Sequence, residues 1–375
     1  MAVSINIVCL DVPYPANYGG AINMFHKIRC LHQQGVEIYL HCYTYGTRRP
    51  QQELEKYCRK VNYYQRKTGL ASFFSILPYN VKSRKSKELK KNLQKNNYPI
   101  LFDALHTCYY INDKEFSGRL KLFRESNIEH NYFYHLAKNE NQFLKKLYLY
   151  TEAFKLKLFE KYLSAADAML VVSTEDEQYF KKQFPNNKVY YLPSFHQNDE
   201  LGIRVGKSDY CLYHGNLSVS ENYQAASWLI EHVFSKINHP VIIAGLNPPR
   251  FLVEKIARYP HIQLKENCSE QEMNELIENA QIHCLYTPQA TGLKLKLLNV
   301  LFKGRFVIAN DFMVHGTELS MAITIANQPD DYIYKIKQHF TETFDEQLLQ
   351  IRKDYLKKYC NQHQVNSLIE IITTL

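Results

Sequence analysis

The feature that most constrains this chain is the alternation of short apolar runs with helical patterns from one end to the other. That is the grammar of βα units and parallel sheets, not of a sandwich or a helix bundle. In the first half the candidate strands are SINIVCL, VEIYLHCY, VNYYQ, ILFDALH, LKLFRES, AMLVVS and VYYLP, with helical spacing near 20–34, 83–95, 140–164 and 174–183. The grammar then starts over with DYCLYHG, PVIIAG, HIQLKE, IHCLYTP, FVIAN and AITIAN, and helices near 221–236, 249–258, 270–280 and 293–303. Between the halves lies PSFHQNDELGIRVGKSD (193–209), a polar, Gly- and Pro-containing stretch without periodicity that reads as an interdomain linker. The chain is therefore expected to be α/β, with two doubly wound domains over 1–195 and 205–345 and the carboxyl ends of both sheets facing a cleft.

Length and composition agree with this reading. At about 150 residues per domain, 375 residues suit two domains. Hydrophobic residues at 45% and charged residues at 22% exclude disorder. No apolar run reaches the roughly 18 residues of a membrane span, and the N-terminus lacks the basic region of a signal peptide. Nine scattered cysteines without a CxxC pair read as reduced thiols of a cytoplasmic protein.

Charge is uneven. Residues 1–195 hold 29 Lys+Arg against 17 Asp+Glu, a net of +12, and the remainder holds 17 against 20, a net of −3. KSRKSKELKKNLQK (82–95) alone carries seven bases and one acid, directly after the apolar LASFFSILPY (70–79). Nucleic acid, anionic lipid or a phosphorylated acceptor could each want such a surface. The 29 tyrosines are spread through expected core strands and not interleaved with the basic run, so base stacking lacks a platform and no nucleic-acid partner is expected. Segment 70–95, with Arg84 and Lys85 among its cations, reads either as a membrane-facing surface on an inner leaflet or as core packing beside a solvated helix.

Candidate site residues lie just after the strands. Gly19 and Gly20 precede a helix, where backbone N–H groups can approach a phosphate; the alternative is an ordinary tight turn. The segment is not GxGxxG, and no acidic residue ends the second strand, which disfavours NAD. In LYTPQATGLKLKLLNVLFKGRFVIAND, Thr291 is the expected N-cap of a helix starting near Gly292, with Leu295, Leu298 and Phe302 at core spacing. Lys294 and Lys296 then stand in its first turn, the wrong sign for the helix dipole unless an anion such as a diphosphate is bound there; the alternative is two solvated lysines. Gly215 and Asn216, in the turn after DYCLYHG, form a third candidate, with a plain turn as the alternative.

PYPANYGG, HGNLSVSEN, PVIIAGLNPP and ATGLKLKLLNVLFKGRFVIAND occur in an order that resembles the retaining glycosyltransferases of family four. The chain is similar in particular to a Bacteroidetes-type group that shares segments like LPYNVKSR, PILFDALHTCYY and NIEHNYFYHLA. The resemblance implies the GT-B fold: two Rossmann-like domains, the first binding acceptor and the second a sugar nucleotide, with C-terminal helices over 346–375 packing back toward the first. Two motif glutamates of the family, with seven residues between them, fall on Thr291 and Asn299, neither of which supplies negative charge. The Arg and Lys that many members place after the first turn of the second domain are Asn216 and Glu221 here, which leaves Lys294 and Lys296 as the diphosphate cations. His106, Arg124, Glu129 and His130 follow the fourth and fifth strands, where similar enzymes approach donor sugar and acceptor; His106 reads equally as a core histidine, and Glu129 and His130 are expected in a polar loop.

The expected reaction is metal-independent hexosyl transfer from a nucleoside-diphosphate sugar to a saccharide or lipid-linked acceptor with retention, in cell-surface polysaccharide or glycan synthesis. No DxD motif is present, no metal ligand is assigned, and no cofactor is expected beyond the donor substrate. Two alternatives stay open: a degenerate protein that binds the nucleotide sugar without turnover, and a nucleotide-sugar epimerase on the same fold.

Overall fold

The computed structural model describes residues 3–289 and 293–375. The chain divides into two compact units, residues 1–196 with 361–375, and residues 197–360.

In the first unit seven parallel strands, β1 (Ser4–Cys9), β2 (Glu37–Thr44), β3 (Lys60–Gln65), β4 (Ile100–Asp103), β5 (Lys121–Arg124), β6 (Ala168–Val171) and β7 (Lys188–Tyr191), lie in the order β3-β2-β1-β4-β5-β6-β7. Helices on both faces explain why the strands are apolar runs and not alternating ones. Along β1, Ile5 and Ile7 enter the core on one face and Val8 the core on the other. The C-terminal helix Asn361–Thr374 completes the first of these cores, bringing Val365, Leu368, Ile371 and Ile372 against Ile28 and Leu31 of helix Gly19–Gln33. Burying each such side chain contributes roughly 1.5–3 kcal/mol. The Asn361 amide fixes the junction: its oxygen accepts from the His196 backbone N–H at 3.1 Å and its nitrogen donates to the His196 carbonyl at 2.7 Å.

In the second unit six parallel strands, β8 (Cys211–Gly215), β9 (Val241–Gly245), β10 (Ile262–Glu266), β11 (Ile282–Leu285), β12 (Phe306–Ala309) and β13 (Thr324–Ile325), lie in the order β10-β9-β8-β11-β12-β13. Cys211 and Tyr213 of β8 face one core and Leu212 the other.

Three expectations need correction. Helix Glu346–Leu356, expected to pack back toward the first unit, belongs to the second. Its Arg352 is buried there and donates to the Leu301 and Arg305 carbonyls at 3.2 and 3.0 Å. Glu129 and His130, expected in a polar loop, open helix Glu129–Asn139, which pairs with helix Phe143–Glu160 in a hairpin. The helix expected to start near Gly292 spans Leu295–Lys303, with Lys294 at the N-cap position and making no capping side-chain bond; the expected N-cap Thr291 lies outside the described residues. Leu298 and Phe302 are buried, and Leu295 is partly so. Seven of the nine cysteines are buried.

Candidate functional site

In each sheet the strand order reverses beside the first strand of the unit, between β1 and β4 and between β8 and β11. Loops leaving the two strands in opposite directions open a crevice there, the usual ligand position in open α/β sheets.

At the β8/β11 crevice, Glu221 in the first turn of helix Ser220–His232 is the centre of a polar cluster. Its Oε1 accepts from the Thr287 hydroxyl at 2.7 Å and from the Lys294 ammonium at 3.2 Å, and its Oε2 from the Gln289 amide at 3.4 Å. Asn310 holds Thr287 from below through both backbone groups, at 2.8 and 3.3 Å, so the β11 loop is pinned. Lys296 donates to Asn222 Oδ1 at 2.9 Å and lies 5.7 Å from the centre of the Tyr213 ring. Burial would raise the Glu221 carboxyl, but Lys294, Thr287 and Lys296 outweigh it and hold the group below its usual range. Burial pushes Lys296 down to about 8, with Lys294 adding to the fall and Glu221 opposing it. Beneath them the buried His214 is pushed down to about 4, by burial first and then by Lys296. Two ammonium groups thus share one carboxylate at the start of helix Leu295–Lys303, leaving a net positive charge where an incoming anion could replace or join Glu221.

The turn after β8 depends on Gly245. A Cβ there would stand 2.0 Å from the Gly215 carbonyl oxygen and 2.7 Å from Leu217. Gly215 faces Asn222, whose side chain would lie 3.2 Å from an added Cβ. Asn216 is committed to the turn itself, its Oδ1 accepting from the Ser218 backbone and hydroxyl and its carbonyl from Asn222 Nδ2 at 3.0 Å. The Asn299 oxygen is taken by Asn198 at 3.1 Å. Thr291 and Gly292 lie outside the described residues.

At the β1/β4 crevice stands Asp11, which the sequence reading passed over. It is 2% exposed, one oxygen accepts from the Tyr18 hydroxyl at 2.6 Å, and the other has no hydrogen-bond partner among the described residues. Burial raises its carboxyl above the usual value, against Tyr18, Arg48, Arg84 and Arg66, which pull it down. Arg66 sits over the Tyr45 and Tyr79 rings and donates to Asn80 Oδ1 at 2.6 Å; Asn80 reaches His106 at 3.5 Å, and His106 Nε2 is 3.4 Å from Glu129 Oε2. His106 and Glu129 therefore join a line of polar contacts with Asn80 that ends at Arg66, one of three guanidinium groups whose charge acts on Asp11.

Several candidate residues lie elsewhere. His130 pairs with the buried Glu160 at 2.8 Å and ties the hairpin together. Arg84 and Arg124 are buried, not surface cations: Arg84 donates to the Leu10 and Asn80 carbonyls, and Arg124 to those of Leu192 and Pro193. Gly19 and Gly20 do open a helix, but Tyr18 stands over them, its ring 2.8 Å from where a Gly20 Cβ would be. Lys85 is exposed above Tyr109, at the rim of a cavity of about 520 Å³, while Lys90 is neutralised by Asp113 and Glu115, each at 2.8 Å. The basic segment is thus broken up and not one uniform cationic face.

No protein-family model matches the chain. Over 341 residues, 84% of each sequence, it is 27% identical to an uncharacterized 44.6 kDa protein of the cps region of Klebsiella pneumoniae. Among solved structures it is similar over its whole length to apo OtsA (TM-score 0.65, 9% identity, all of that chain covered) and to TarM (0.66, 10%, 99% covered). It also matches, over 99% of its length and all of the other chain, a UDP-forming α,α-trehalose-phosphate synthase from Burkholderia xenovorans in complex with glucose-6-phosphate (0.62, 9%). The two parallel-sheet units have the GT-B fold.

Proposed function

We propose that the chain transfers a hexosyl group from a nucleoside-diphosphate sugar to a saccharide or lipid-linked saccharide, with retention and without a metal ion, in the assembly of a cell-surface polysaccharide. The observation that carries this reading is the pair Lys294 and Lys296 at a helix start beside the β8/β11 crevice, facing the carboxylate of Glu221. Two further facts support it. The trehalose-phosphate synthase neighbour is described as UDP-forming, and the Klebsiella relative belongs to a cps region, a setting that suits polysaccharide assembly.

In this reading the diphosphate draws Lys294 and Lys296 away from Glu221 and Asn222 and accepts backbone N–H groups at the helix start. Departure of the nucleoside diphosphate concentrates charge on its terminal phosphate, and the fixed cations stabilise that charge as it grows. One such donor is worth on the order of a hundredfold in rate. The acceptor hydroxyl enters on the face the leaving group vacates, and the departing phosphate takes its proton. Within the first unit, Asp11 offers a carboxylate oxygen to a bound saccharide, and His106 and Glu129 add further polar groups there.

The test is thermal stabilisation by UDP, GDP, ADP, dTDP and CMP, with and without magnesium, followed by transfer assays with the matching sugar nucleotide. A ligand at a hundredfold over its dissociation constant adds about 2.7 kcal/mol. Stabilisation by one diphosphate, independent of magnesium and lost in Lys294→Ala, supports the donor site. Stabilisation without transfer to any acceptor would favour the degenerate sugar-nucleotide binder, and no stabilisation at all would refute the reading.

A further inference from the structure

The hairpin of helices Glu129–Asn139 and Phe143–Glu160 exposes far more apolar surface than its packing requires. In the second helix, Leu149, Leu156 and Phe159 are buried against the first unit. On the opposite side Phe143, Leu147, Phe154 and Leu158 are all exposed, and at 3.6 residues per turn they fall within about 60° of arc. The helix is therefore apolar on two faces, only one of which is covered in this chain. At the start of this helix Phe143 is 75% and Leu144 79% exposed. A second projection stands beside it: Phe73 stacks on Tyr148 of the helix at 5.2 Å, and the following Phe74 and Ile76 are 78% and 91% exposed. An apolar face of this extent on a folded chain marks a surface meant for another phase or partner.

We propose that this face docks the protein on an anionic phospholipid bilayer, Phe74, Ile76, Phe143 and Leu144 entering the headgroup boundary. Charge selects this occupant. Of the four glutamates between 129 and 161, Glu129, Glu152 and Glu160 are buried, and Glu140 is neutralised by Lys145 at 2.5 Å. Lys138, Lys146 and Lys161 have no acidic partner among the described residues, so the rim of the apolar stripe is positive. A two-fold pairing of identical faces would set those lysines against one another, whereas an anionic leaflet neutralises them. The side chains also project and do not line a groove, which suits insertion between headgroups. Among the described residues no helix is long and apolar enough to cross a membrane, so the contact is peripheral. The proposal does not depend on the nucleotide site, and it fails or stands separately from it.

Sedimentation with vesicles of phosphatidylcholine, alone and mixed equally with phosphatidylglycerol, tests it. The full chain should bind the anionic vesicles and release as salt rises. Phe143→Ser with Leu144→Ser should weaken binding by about tenfold for each side chain, at unchanged circular dichroism and nucleotide response. Lys138→Gln with Lys146→Gln should weaken it by about fivefold each on anionic vesicles and leave the neutral ones unaffected. Absence of binding to either vesicle overturns the proposal, as does binding that the Phe143/Leu144 variant leaves intact. A dimer by light scattering that this variant converts to monomer, without vesicle binding, would assign the face to a second copy instead.

Discussion

Lys296→Met should make the protein more stable and less able to bind a nucleoside diphosphate. The argument is electrostatic. In the unfolded chain the ammonium titrates near 10.5, and in the fold burial pushes it down to about 8. At pH 7 both states carry the charge, so the fold bears the whole cost of holding it, about 3 kcal/mol. Methionine fills a similar volume without the charge. Part of the gain is lost because Asn222 loses its donor and Glu221 one of two cations, which leaves a net stabilisation of about 1–3 kcal/mol. The sign with pH follows. Between about pH 8 and 10.5 the unfolded state holds a proton that the folded state has released, so wild-type stability rises with pH through that window and is lowest below it. A bound diphosphate favours the charged ammonium, so nucleotide affinity should move the other way and fall as pH climbs past 8. Denaturant unfolding and nucleotide titration at pH 7 and 9, on wild type and Lys296→Met, measure both slopes. A variant less stable than wild type at pH 7, or one that keeps the wild-type pH dependence of nucleotide affinity, would refute the reasoning.

Glu221→Gln leaves Lys294 and Lys296 facing each other without their carboxylate; it should lower stability by about 1–3 kcal/mol and tighten diphosphate binding, whereas weaker binding in calorimetry would mean that Glu221 itself touches the donor. The stability Glu221 confers should be present above its unfolded pKa and be lost as pH falls through the lower folded value, a slope that acid unfolding of the glutamine variant would lack. Asp11→Asn still accepts from Tyr18, so its melting temperature should match or exceed wild type while transfer falls by about tenfold with the loss of one charged hydrogen-bond acceptor; unchanged transfer would remove Asp11 from the site. Gly245→Ala drives a methyl into the Gly215 carbonyl and Leu217, and should cost about 1–3 kcal/mol and weaken diphosphate binding by displacing the β8 turn.

The strands were legible because each is a short apolar run between turn residues, and a parallel sheet buried on both faces demands that pattern. Strand order was not, since Ile7 of β1 and Leu101 of β4 pair across more than ninety residues and nothing local announces it. Lys294 and Lys296 were visible through their wrong sign at a helix start. Glu221, their partner in space, lies 73 residues from Lys294. It stood out only as a departure from a family pattern, so its pairing could not be read. Asp11 was missed because one carboxylate after a strand looks like any turn residue until its burial is known. Arg84 and Arg124 misled in the opposite direction: a guanidinium looks like a surface charge in sequence, yet each is buried with its fork on backbone carbonyls. Glu129 and His130 looked like part of a loop because Tyr132, Tyr134 and Leu136 after them face outward and blur the helical pattern. The two last helices have similar amphipathic patterns, and a pattern does not say which of two cores it will join.

The placement of helix Asn361–Thr374 in the first unit has a consequence for how the chain is made. Residues 197–360 are continuous and hold every strand of their sheet, so they can close as soon as they have left the ribosome. The first unit, although translated earlier, has the apolar surface of Ile28 and Leu31 covered only when Val365, Leu368 and Ile372 arrive, so the last residues of the chain complete the first core it begins.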